Sequence, residues 1–131
     1  MPSFIFKAER YGSRRKNGKR MTNYVAVIFT STRTKDHEEE YVRWSKRMAE
    51  LVAEQPGFLD FVSTRDPVTR FGITVAYFTD EESALGWKAN SEHLEAQRLG
   101  RSDFYESYSV KVANVYREYG ATNLNTEAPD T

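Results

Sequence analysis

Apolar residues in this chain follow a period of two in some stretches and close to four in others, and each change of period marks an element. Tyr24 to Thr30 (YVAVIFT) is β-branched and aromatic and predicts a strand. Tyr24, Ala26 and Ile28 fall on one face, and Val25, Val27 and Phe29 on the other. A strand apolar on both faces calls for cover on both. Ser31 to Lys35 reads as a polar connection. Tyr41, Trp44, Met48, Leu51 and Val52 then recur at helical spacing. Asp36 with Glu39 predicts a capping box at the start of that helix, Glu38 and Glu40 suit its positive end, and Pro56-Gly57 stops it near Gln55.

Phe58 to Arg65 (FLDFVSTR) and Phe71 to Phe78 (FGITVAYF) predict two strands joined as a hairpin by a turn that begins at Asp66-Pro67. Thr79-Asp80-Glu81-Glu82 opens a helix through about Ala89. Asn90 or Ser91 re-caps a second helical piece, with Gly100 as its stop. Tyr108 to Tyr119 predicts the last strand. The order strand, helix, strand, strand, helix, strand is the α+β, ferredoxin-like split βαβ pattern: one antiparallel sheet with its helices on one face. Apolar residues remain on the other face. A second copy of the chain, related by two-fold symmetry, is the expected cover, so a homodimer is predicted, with a pocket between sheet and helices in each subunit.

Composition narrows the chemistry. The 131 residues suit one domain with a real core. The absence of cysteine excludes disulfides, zinc-thiolate and iron–sulfur sites and cysteine nucleophiles, and is compatible with a cytoplasmic location. No apolar run approaches the roughly 18 residues of a membrane span, so no membrane partner is expected. The net charge of zero hides an asymmetry. Residues 1–20 hold seven basic side chains against Glu9, a net +6, and the rest of the chain is −6. Residues 1–21 are therefore read as a basic, mobile N-terminal extension, 22–120 as the domain and 121–131 as a polar tail. The extension could serve as a nucleic-acid arm or targeting segment, but the acidic domain makes nucleic acid an unexpected partner. Gly12 to Lys19 only loosely follows a phosphate loop: its glycines are one residue too far apart, and Arg20 stands where Ser or Thr must reach Mg²⁺.

Candidate chemistry gathers between Trp87 and Tyr119, which combine an indole, an imidazole, an amide and a group of tyrosines. Trp87 on an inner helix face fits core or pocket wall. His93 is a candidate general base, with a pKa lowered by its place in the first turn of a helix. Tyr105, Tyr108, Tyr116 and Tyr119 suit core and dimer interface. The Glu38–Glu40 run is read as a solvated first turn. Two separated histidines do not predict a metal site. Neither a nucleophile elbow nor a dinucleotide fingerprint is present.

Gly72-Ile73-Thr74-Val75-Ala76-Tyr77-Phe78, then Trp87, then His93-Leu94-Glu95-Ala96-Gln97, and finally Val115-Tyr116-Arg117-Glu118-Tyr119 resemble the antibiotic biosynthesis monooxygenase (ABM) family across residues 22–120. The resemblance implies a dimeric α+β barrel. It also implies a reaction in which an electron-rich phenol loses a proton and its anion reduces O₂, with no metal or flavin and with O₂ as co-substrate. The implied substrate is a small aromatic or quinol-type molecule. Trp87 and His93 are the implied catalytic residues, and Gln97, Tyr77, Tyr108 and Arg65 would bind the substrate. A non-catalytic dimer that binds a small ligand is the alternative. Haem-degrading members use an Asn on the first strand, the helix Trp and a His ten residues after it. Here Trp87 is kept, the tenth residue on is Gln97, and Tyr24 to Thr30 has no Asn. His93 lies one turn early, a shift of about 6 Å along the helix, so haem is not expected.

Overall fold

The computed structural model describes residues 23–122, together with the backbone of three short N-terminal strands. The elements run β1 (Phe4–Glu9), β2 (Arg15–Lys16), β3 (Lys19–Arg20), β4 (Tyr24–Arg33), α1 (Glu38–Val52), β5 (Phe58–Arg65), β6 (Phe71–Phe78), α2 (Glu81–Lys88), α3 (Ser91–Leu99) and β7 (Tyr105–Val115). A π-helical turn at Gly100–Phe104 joins α3 to β7. The large sheet has the order β1-β5-β6-β4-β7, and all its pairings are antiparallel. Its last four strands form the predicted α+β, ferredoxin-like arrangement. β2 and β3 form a separate two-residue ladder.

Residues directly opposite in an antiparallel pair share a face. Val25, Val27, Phe29 and Ser31 of β4 therefore lie on one face with Phe78, Ala76, Thr74 and Gly72 of β6. The core forms on this face. Val25, Phe58, Ala76 and Phe78 pack with Leu51 and Val52 of α1 and with Ala84 and Trp87 of α2. Fully burying a side chain such as Phe58 or Phe78 contributes on the order of 1.5–3 kcal/mol. The opposite face leaves Val62, Phe71 and Ile73 exposed, as the apolar alternation of these strands implied.

Several local expectations are corrected. β4 continues through Ser31, Thr32 and Arg33, which the sequence placed in a connection; Ser31 and Arg33 are buried. α1 starts later than the Asp36 capping box predicted. Arg33 Nη2 and Thr34 Oγ1 both donate to the Asp36 carbonyl, at 3.3 and 3.2 Å, and hold that residue in the preceding turn. His37 then takes the N-cap position with φ 61° and no side-chain cap. α1 also ends at Val52, short of Gln55. Gly100 does not stop α3 in a left-handed conformation. Its φ is −58°, and the chain passes straight into the π-helical turn. What requires glycine there is proximity: a Cβ would meet the Tyr105 ring at 3.0 Å. That turn delivers Tyr105 opposite Arg33, so β7 starts three residues early. It ends at Val115, where β4 runs out of partners at Tyr24.

β1 was not anticipated. Its run Phe4-Ile5-Phe6 is too short to show a period, yet it pairs along the edge of β5, from Phe4 opposite Arg65 to Glu9 opposite Asp60. Exposed strand edges offer unpaired backbone groups to such a segment. Most of the loosely phosphate-loop-like stretch and residues 123–131 of the polar tail lie outside the described residues.

Candidate functional site

Trp87 and His93 are brought together by a break between two helices. α2 stops, and the Asn90 side chain caps α3 by accepting from the backbone N–H of Glu92 at 3.0 Å and of His93 at 3.1 Å. The chain folds back, and the imidazole stacks on the indole with ring centroids 4.3 Å apart and planes 25° apart. Arg47 of α1 secures this turn: its Nε and Nη2 donate to the two carboxylate oxygens of Glu92 at 2.8 and 3.0 Å. The Gln97 amide donates to the Lys88 carbonyl at 3.3 Å, which ties α3 to the end of α2.

Burial lowers the His93 pKa to about 4. The cause is removal from water rather than the helix end that the sequence suggested. The ring is therefore neutral near pH 7. Its Nδ1 is buried with no hydrogen-bond partner among the described residues. A phenol has a pKa near 10, so full proton transfer to such a ring costs roughly 8 kcal/mol. His93 suits orientation of a hydroxyl better than abstraction of its proton.

A second polar group forms at the far end of β4. Arg33 is only 2% exposed. It donates to the Phe104 carbonyl at 2.6 Å and to Glu38 at 2.9 Å, and it lies 4.0 Å over the Tyr41 ring. Arg65 sits beside it. Its Nη1 donates to the carbonyls of Ser31 and Arg70, and its Nη2 to the Ser31 hydroxyl. Phe29, Tyr105 and Tyr108 form an aromatic cluster here, with Phe29 5.3 Å from the Tyr105 ring and 5.8 Å from that of Tyr108. Burial pushes the Tyr105 phenol upward, so it remains protonated. Sequence reasoning missed Arg33 and Tyr41. The usable signal was the alternation of β4, which continues through Ser31 to Arg33.

Between these ends the helix face of β7 stays open. Tyr108, Val110 and Val112 lie opposite Ser31, Phe29 and Val27, yet are 45%, 50% and 57% exposed. They leave an open apolar strip on the helix face beside the partly buried Val27 and Phe29. Ser63 and Thr74 share a 2.6 Å hydrogen bond on the same face. Of the six residues singled out from sequence, Trp87 and His93 meet at one end, and Arg65 and Tyr108 belong to the other. Gln97 holds helix to helix. Tyr77 is on the opposite face of the sheet, edge-on to Tyr24 at 5.7 Å. Elsewhere, His37, Glu40 and Asp103 bring potential ligand atoms within 4.8 Å of one another. Sequence reasoning missed this because Asp103 joins the others only through the π-helical turn.

Residues 24–99 match the family described as antibiotic biosynthesis monooxygenase. The chain is 42% identical over 95 residues to the uncharacterised protein YqjZ of Bacillus subtilis, covering 72% of this chain and 82% of that one. It is 26% identical over 92 residues to the jasmonate monooxygenase ABM of Pyricularia oryzae, covering 69% of this chain but 42% of that longer protein. The fold is similar to that of SnoaB, a cofactor-independent oxygenase from Streptomyces nogalater, with a TM-score of 0.62 and 18% identity over 73% of this chain and 96% of SnoaB.

Proposed function

Because the chain belongs to the antibiotic biosynthesis monooxygenase family, we propose that it is a cofactor-independent monooxygenase acting with O₂ on an aromatic or quinol-type substrate held in a groove on the helix face beside β7. The observation that carries this reading is the Trp87–His93 stack, where a neutral imidazole keeps one buried nitrogen without a partner. That nitrogen is shielded in the closed stack, so a phenolic hydroxyl that reaches it by a small shift of the imidazole gains a hydrogen bond away from water. The apolar side chains of β7 offer the aromatic ring a surface it can cover and dry on binding, and the substrate's own electrons reduce O₂. Trp87 supplies a flat wall, Tyr108 lines the far end, and Arg65 belongs to the substrate-binding set. Tyr77 has no part in this groove. SnoaB, described as a cofactor-independent oxygenase, supports the same chemistry by its fold.

The exposed face around Val62, Phe71 and Ile73 is covered in this reading by a second copy of the chain, giving a homodimer. The lack of cysteine suits a cytoplasmic location, and among the described residues no helix is long and apolar enough to cross a membrane. Haem has no role here: Gln97 stands at the ligand position and is engaged with Lys88, while His93 lies flat on Trp87. A haemin titration should accordingly give no Soret shift.

The test is O₂ uptake with a quinol. Trp87→Phe and His93→Ala should each lower the rate at least tenfold while the dimer persists in size-exclusion chromatography with light scattering. Unchanged rates in both variants would remove these residues from the mechanism. The weak basicity of His93 favours one rival, a dimer that binds ligand without turnover. That rival predicts calorimetric binding of the same quinol with no O₂ uptake.

A further inference from the structure

Three guanidiniums crowd the far end of this face, but among the described residues only two have a carboxylate. Glu38 pairs with Arg33 at 2.9 Å, and Glu106 with Arg70 at 3.3 Å. The nearby Asp66 carboxylate accepts from the N–H groups of Val68 and Thr69. Among the described residues, Arg65 has no acidic partner.

Arg65 is nonetheless held in one position. Its Nη1 donates to the Ser31 carbonyl at 3.1 Å and the Arg70 carbonyl at 2.7 Å, and its Nη2 to the Ser31 hydroxyl at 2.7 Å. Gly72 makes room beneath it, since a Cβ there would lie 2.6 Å from the guanidinium carbon. The rings of Tyr41 and Tyr105 flank the charge at 5.5 and 5.8 Å. A guanidinium has five N–H bonds. Among the described residues three are used, which leaves the Nε–H and one Nη2–H. In the planar group these share one edge, the edge that grips a carboxylate through two parallel hydrogen bonds.

We propose that this edge of Arg65 is a carboxylate subsite, and that the natural ligand of the groove is an extended hydroxylated aromatic acid whose carboxylate docks there. Calling that ligand a substrate rests on the monooxygenase reading; the subsite itself does not. The anion recognised here is not a phenolate formed beside His93. Val25 belongs to the core around Trp87, while Ser31 holds Arg65. Those two positions are six residues apart on β4, about 20 Å at roughly 3.3 Å per residue. The hydroxyl and the carboxylate therefore lie well apart in the ligand, with its apolar body along Phe29, Val110 and Val112.

The test uses the full chain and isothermal calorimetry with two probes that differ only in the carboxylate, 2-naphthol and 6-hydroxy-2-naphthoate. The naphthoate should bind at least tenfold tighter, as expected for a charge-assisted pair. Arg65→Gln should abolish the preference. Gly72→Ala keeps the charge but displaces the guanidinium, and should reduce the preference at least threefold; it decides the matter if Arg65→Gln fails to fold. Equal affinities for the two probes in the natural protein, or an unchanged preference in Gly72→Ala, would overturn the subsite. A carboxylate preference without O₂ uptake would overturn the monooxygenase reading and uphold the subsite. O₂ uptake without the preference would do the reverse.

Discussion

The two halves of the helix face share one sheet and one alternation, yet they end in different states. On the β5–β6 half, Phe58, Ala76 and Phe78 are buried beneath α1 and α2. On the β7 half, Tyr108, Val110 and Val112 stay about half exposed, and β7 contributes nothing to the core cluster. All these positions are apolar or aromatic and point the same way. The difference lies in cover. The short α2 lies against β4 and β6, and Leu51 and Val52 of α1 pack into the same cluster as Phe58 of β5, whereas β7 is met by the π-helical turn near its start. Apolar periodicity therefore specifies which side of a strand seeks an apolar neighbour. It does not specify that a neighbour from the same chain is there, and an open apolar face remains where it is not.

The comparison can be tested most strongly on the covered half. Phe78→Ala empties a position with no solvent exposure, and core phenylalanine deletions cost about 3–5 kcal/mol. Urea denaturation should show that loss directly. If Phe78→Ala cost less than about 1 kcal/mol, the β5–β6 half would be no better packed than the β7 half, and the contrast would fail.

His93 gives the next largest effect, and it acts through pH. Its folded pKa of about 4 lies below the ordinary 6.5. Above pH 6.5 the ring is neutral in both folded and unfolded chains, so it contributes no pH dependence. As pH falls from 6.5 towards 4, the unfolded chain takes up a proton that the folded chain resists, and stability declines. The full effect is about 3 kcal/mol. His93→Phe should flatten that part of the stability profile, and the His93 ring resonances should show no titration above pH 5. A midpoint near 6.5 would mean that water reaches the ring, so that this end of the groove is as open as β7.

Much of the fold could be read from the sequence, because strands and helices announce themselves by period. β5 and β6 fall where FLDFVSTR and FGITVAYF placed them, and the Asn90 cap between α2 and α3 is as expected. What was missed depends on contacts distant in sequence. Arg33 looked like a loop residue because a buried guanidinium needs Phe104, Tyr41 and Glu38 around it, and only the fold assembles them. Tyr77 and Arg65 both read as substrate-binding residues on neighbouring strands. Register then puts them on opposite faces, since Tyr77 lies opposite Ala26 whereas Arg65 lies opposite Gly72. The Trp87–His93 stack needed the helix break to act as a hinge. The break was legible, but the direction of the fold-back was not.

The smallest expected effect is the one that asks most of the open half. Val112→Ala removes two methyl carbons from a side chain already 57% exposed, so a subunit whose β7 face meets only water or ligand should lose less than about 1 kcal/mol. Affinity for 2-naphthol should fall by a few fold over the same substitution, because the groove wall loses apolar area. The two readings separate two kinds of cover. A ligand groove gives a weak effect on stability that does not change with protein concentration, together with a measurable effect on binding. If the second copy instead closed over β7, Val112→Ala would weaken dimerisation, and the stability loss would grow on dilution. The β7 half would then be core after all, completed from the partner rather than from α1 and α2.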